Sequence, residues 1–213
     1  MKGLLIKDFN LLKKRGIFFL VFIAGYAVYQ LGTFNSEAAV GFATLMIGVF
    51  SLTTINYDEY ENGMLFLFTL PFRRIDYVRE KYIFGFLSAT ITWIIMGAAC
   101  FLFDILIWKE DSGDSWRKLV FCVSYLIVVY FIVSLQIALK LKFAERSGTV
   151  MMIFAAIIGA FGSIAYMQLE FGERFVILSL NWNIVVPVAA LVLFALMFGL
   201  YRWSVRIMEK REF

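Results

Sequence analysis

The side chains best placed for chemistry in this 213-residue sequence lie between Asp58 and Tyr82, DEYENGMLFLFTLPFRRIDYVREKY. Nine of the thirty-six Asp, Glu, Lys and Arg residues fall there. Acids lead (Asp58, Glu59, Glu61), bases follow (Arg73, Arg74, Arg79, Lys81), and the nine residues Met64–Phe72 between them carry no charge. That order suits ion pairing along the two edges of an apolar contact. It does not suit catalysis, because no pair of acids stands within an apolar run where their proton affinities could be driven apart. Histidine, the commonest metal ligand and general base, does not occur. No Gly-Lys pair occurs either, so a G-x-x-x-x-G-K-[ST] phosphate loop is excluded and the chain does not hydrolyse nucleotide by itself. Cys100 and Cys122 each sit in an apolar run and read as small buried hydrophobes, with neither disulfide nor metal spacing.

The elements that must position these charges are apolar. Hydrophobic residues make up 62% of the chain and the mean hydropathy is +0.83. Runs of about 20 uncharged residues recur, enough for a helix to cross about 30 Å of hydrocarbon. Several Tyr and Trp fall near the ends of those runs, as interfacial aromatic rings do. Backbone groups in lipid must be satisfied within the segment, so helices are the expected form. The ten-residue alternation of an outer-membrane barrel is missing. The fold class is therefore an all-α integral membrane protein.

Taken in order, residues 1–15 are amphipathic: Leu5, Phe9 and Leu12 share one side of a helix and Lys7 and Lys14 the other. Such a helix is expected to lie in the headgroup layer with its lysines toward anionic lipid. The 18 uncharged residues Ile17–Phe34 exceed a signal-peptide core and lack a clear cleavage site, so the run is expected to stay as a first span. Further spans are expected over about 38–57, 82–103, 119–139, 149–169 and 184–201, six in all, with 58–81 between the second and third. Residues 1–213 read as a single membrane domain without linker, repeat or soluble module. Alternate ends of these spans carry sixteen and four Lys and Arg residues, which places both termini and the Asp58–Tyr82 segment in the cytoplasm.

An ion-coupled transporter normally keeps ionisable groups at mid-membrane. Asp104 stands at the outer end of the third run and reads as interfacial. Gln30, Asn56, Ser88 and Thr92 are candidates for lining a translocation path, with interhelical hydrogen bonding as the competing reading. Ala155, Gly159 and Ser163 form a small-residue ridge suited to helix packing. With no energy source visible in the spans, the segment after Asp58 becomes the expected input. Asn62-Gly63 makes a turn, Met64–Phe72 is too short to cross and apolar on all sides, and Pro71 marks the first turn of a new helix. Ile75, Val78 and Tyr82 share a face of that helix, while Arg73, Arg74, Arg79 and Lys81 lie at headgroup level. The segment reads as a short helix held between the bilayer and a docked protein, or as a simple connecting loop with snorkelling arginines.

These stretches resemble the permease subunit of the ABC-2 family of ATP-binding-cassette exporters, particularly its small six-span bacterial members. The resemblance rests on MKGLLIKDFNLLKK at the start, N-Y-D-E-Y-E-N-G at Asn56–Gly63, T-L-P-F-R-R at Thr69–Arg74 and R-E-K-Y at Arg79–Tyr82. Met64–Phe68 is apolar where many relatives are strongly polar. The resemblance implies that residues 1–15 form an elbow helix on the membrane. It also implies that Asp58, Glu59, Glu61, Met64, Phe66, Leu70, Pro71, Arg73, Arg74 and Arg79 belong to a coupling helix docked on a cytoplasmic ABC ATPase. ATP and Mg would sit on that ATPase, with no cofactor and no nucleic acid on this chain. The remaining implied partners are the lipid bilayer and a second permease chain, a copy or a paralogue. The implied setting is the bacterial cytoplasmic membrane. The implied cargo is an amphipathic peptide, as in relatives that export phenol-soluble modulins, or another hydrophobic molecule. A non-transporting membrane scaffold or sensor is the alternative, with a secondary transporter third.

Overall fold

A computed structural model describes residues 3–13, 36–60, 63–103, 115–143 and 182–211, with isolated positions 21, 24, 25 and 28. Every regular element among them is helical. Residues 3–13 form an N-terminal helix. It is followed by α1 (Ser36–Ser51), α2 (Thr53–Glu59), α3 (Gly63–Leu67), α4 (Arg74–Phe103), α5 (Ser115–Phe143) and α6 (Trp182–Lys210). Four stretches among the described residues are long and apolar enough to cross a membrane: Ala38–Glu59, Arg74–Phe103, Cys122–Phe143 and Leu191–Lys210. The expected spans 17–34 and 149–169 lie outside the described residues, apart from those isolated positions, as do Glu61, Lys14, Gln30 and the Ala155–Ser163 ridge.

Hydroxyl groups inside these helices are satisfied by their own backbone, the local solution open to Ser and Thr in an apolar medium. Thr44 donates to Val40 O at 2.7 Å, Ser51 to Gly48 O at 2.7 Å, Ser134 to Tyr130 O at 2.7 Å. One break interrupts the first crossing. Ser51, Thr53 and Thr54 all bond carbonyls three residues back, and the backbone tightens around Leu52. Lys140 of α5 donates to the Leu52 carbonyl at 2.7 Å, so a cation from a neighbouring helix secures the break.

α1 packs along α4, and α5 packs against α1, α4 and α6. Glycine permits the closest approach. A Cβ on Gly85 of α4 would lie 2.8 Å from Val133 Cγ1, and one on Gly48 of α1 would lie 3.0 Å from Val133 Cγ2. Val133 of α5 is thus wedged between two glycines on two helices. The largest buried cluster gathers Leu4, Leu52, Ile55, Met64, Tyr77, Val133 and Met208 among others, taking residues from every described helix except α1. It lies at the end of the bundle where α2, α5 and α6 finish and α4 begins.

The third span differs from its expected start near Tyr82. α4 runs unbroken from Arg74, and nine residues of the charged segment are its first turns. Pro71 and Phe72 precede the helix, and the Arg73 N–H is accepted by the Asp76 carboxylate at 3.4 Å, one half of a capping box.

Candidate functional site

Asp58 lies in the last turn of α2 and Gly63 begins α3 beneath it; a Cβ at position 63 would come within 2.9 Å of the Asp58 carbonyl. Only glycine allows the chain to double back that tightly. α3 and the turn after it then divide their apolar residues between two sides. Met64 and Leu67 are buried in the main cluster, while Leu65, Phe66 and Leu70 are 47%, 74% and 47% exposed. Tyr60, 69% exposed, precedes them. The turn after α3 is stiffened by Phe68, whose ring meets Phe72 at 5.6 Å and Tyr77 at 5.9 Å with the Arg74 guanidinium 5.9 Å above it. The result is a rigid loop with an exposed apolar ridge.

Behind the ridge lies a buried ionic cluster. Lys81 of α4, 1% exposed, pairs with Asp8 of the N-terminal helix and with Asp58 at 2.8 Å, and donates to Thr54 at 3.2 Å. Lys7 pairs with Asp58 and lies 3.3 Å from Asp8. The Tyr77 hydroxyl donates to Asp58 at 3.1 Å, and Glu80 stands 3.7 Å from Lys81. Taking one such charge out of water costs several kcal/mol, so each must be met by an opposite charge or a donor. The cluster meets that condition for Asp58 and Lys81 by joining three segments distant in sequence.

A second set of ties fastens the end of α6 to both flanks of the loop. Arg74 donates to the carbonyls of Met208, Glu209 and Arg211 at 3.3, 3.1 and 2.6 Å, filling acceptors that a helix end leaves open. Arg211 pairs with Glu59 at 2.9 Å, and Arg79 donates to the Tyr201 hydroxyl at 3.1 Å. The Tyr82 hydroxyl reaches Ser204 at 2.9 Å.

Several expected contacts are therefore relocated. Asp58 and Met64, expected to face a docked protein, are buried within the chain, Arg74 and Arg79 bind α6, and Glu59 pairs with Arg211 just past its end. Phe66, Leu70, Pro71 and Arg73 remain exposed and together. Lys81, expected among headgroups, is turned inward because two carboxylates await it. Lys7 is likewise drawn from the lipid side toward Asp58. On the N-terminal helix Leu4 and Asp8 face the protein, Leu5 and Leu12 are half-buried and Phe9 is 57% exposed. Ser88 and Thr92 donate to Gly85 O and Ser88 O, both at 2.9 Å, within α4, while Asn56 is exposed on α2. The sequence reading missed Asp8, Tyr77, Lys81 and Lys140 as structural ties. A signal existed for Asp8: it stands four residues after Leu4, on a helix face that its neighbours make apolar.

A family model described as ABC-2 family transporter protein matches residues 3–209. No curated protein and no solved structure matches the chain.

Proposed function

The chain belongs to the ABC-2 family of transporter proteins, and from that premise we propose that it is the permease of an exporter driven by separate ATPase subunits. Membership of the family makes it a multi-pass membrane component with an ATPase partner. The observation that carries the finer reading is the ridge of Tyr60, Leu65, Phe66 and Leu70, exposed on a loop whose opposite side is fixed by buried charge. Solvent-exposed aromatic and aliphatic groups grouped in this way mark a contact surface. The ridge is held stiffly, as a part that passes on force must be. In this reading the charged end faces the cytoplasm, in keeping with the Lys and Arg excess there. The ridge docks on an ATPase that binds ATP and Mg, and closure of paired ATPases moves it.

The apolar outer face of α4, where Ile83, Leu87, Ile91 and Ile94 are 45–55% exposed, supports pairing with a second permease chain, a copy or a paralogue. The route between the two chains would suit an amphipathic peptide or another hydrophobic cargo, moved outward across the cytoplasmic membrane. The test is co-purification of the permease with candidate ABC ATPases in nanodiscs. Wild type should retain one of them, and Phe66→Asp should lose it while inserting normally. Equal retention by both would remove the ridge from the interface.

A further inference from the structure

Away from the ionic cluster, the ends of α5 and α6 form a cationic patch that neither the loop nor the core uses. Arg202, Arg206 and Lys210 are exposed and recur every fourth residue, so they run down one side of α6. Trp203, 36% exposed, borders that side. Lys142 joins from α5, its ammonium 5.1 Å from the centroids of both the Trp203 and Phe143 rings. Among the described residues none of these four cations forms an ion pair, and the neighbouring Glu209 pairs with none of them. With no described acid paired to them, these cations are suited to receive an anion.

The surface above the patch tells which kind of anion. Continuing up the same side of α6, Gly199, Ala195 and Val192 are exposed, and among the described residues nothing lies within 4 Å of where a Gly199 side chain would begin. The strip is apolar and shallow, and Phe198 stands beside it, its ring 4.8 Å beneath the Arg202 guanidinium. A soluble anion would use the cations and gain nothing from the strip. An acidic protein surface would also leave it uncovered. A phospholipid uses both, with its phosphate among the cations and an acyl chain along the strip. Basic pockets between helix ends at the cytoplasmic face select anionic lipid in this way.

We infer that Lys142, Arg202 and Arg206, with Trp203, form a binding site for one anionic phospholipid, its acyl chain lying along Gly199 and Ala195. The site is built within one chain and does not require an ATPase.

The test uses the full chain with Trp203 as its only tryptophan, reconstituted in phosphatidylcholine vesicles. Lipids brominated on the acyl chain are added, either phosphatidylglycerol or phosphatidylcholine. Brominated phosphatidylglycerol should quench Trp203 at much lower mole fraction than brominated phosphatidylcholine. Each cation replaced by glutamine (Lys142→Gln, Arg202→Gln, Arg206→Gln) should lower that preference about fivefold. Gly199→Leu, which keeps every charge and obstructs the strip, should reduce quenching by the anionic lipid. Equal quenching by the two lipids in wild type overturns the site. Displacement of the lipid by soluble glycerol phosphate would assign the cations to a free phosphate and overturn it too. A preference that survives all three glutamine substitutions would place the lipid elsewhere. An acidic protein as the true occupant would appear as wild type showing no lipid preference at all.

Discussion

Lys81 is the residue on which the charged end depends most. It is buried, and its ammonium joins Asp8 and Asp58, which belong to different helices. Removing one partner of a buried pair leaves uncompensated charge and costs about 3–5 kcal/mol. Lys81→Met should therefore destabilise the protein by about that amount, read as a fall in thermal unfolding midpoint in detergent. Replacing Asp8 and Asp58 by Asn and Leu in the same chain should recover much of the loss, since the unpaired carboxylates would be gone. Exchange of the charges, Lys81→Asp with Asp8→Lys, should be less destabilising than either change alone. If Lys81→Met unfolds at the wild-type midpoint, the cluster does not hold these helices together.

At the scale of elements, the close meeting of α1, α4 and α5 turns on Gly48, Gly85 and Val133. Gly85→Ala gains up to about 1 kcal/mol of helix propensity. It also drives a methyl against Val133, whose branched side chain is stiff and already backed by Gly48, and overpacking of this kind costs about 1–3 kcal/mol. Gly85→Ala should lower the unfolding midpoint, and adding Val133→Ala should restore it. Arg74→Ala should release the last turn of α6, visible as faster amide exchange at 208–211 with little change at Val78–Ala89. Among the described residues, four helices long and apolar enough to cross a membrane are legible from the sequence because length and apolarity mark them, and α4 and α5 contain the expected 82–103 and 119–139. A helix through Arg73–Tyr82 is expected from the sequence, but not its unbroken run into the third span, because Arg74–Lys81 looks like headgroup-level charge. The inward pairing that lets those residues extend the helix depends on Asp8 and Asp58, which the local sequence does not display. The break at Leu52 was equally hidden, since its support is Lys140, eighty-eight residues away.

For the whole molecule, the two sides of this segment differ. Its inner side, through Asp58, Glu59, Arg74 and Lys81, binds the N-terminal helix, α2, α4 and α6 into one body. Its outer side leaves Phe66, Leu70 and Arg73 exposed, the surface proposed to dock on a partner. From the sequence, most of the charges of this stretch are expected on a partner; several are turned inward instead, because charge alone does not reveal which side it faces. A coupling element needs both properties, since a force applied to the ridge moves the membrane helices only if the ridge is joined to them. The decisive measurement is the ATP turnover of the cognate ATPase with the permease in nanodiscs, comparing wild type with Phe66→Asp and with Arg73→Glu. Wild type should change the turnover, and Phe66→Asp should abolish the change while Arg73→Glu weakens it. Unaltered modulation of turnover by Phe66→Asp, in a chain that folds and inserts normally, would contradict the coupling role.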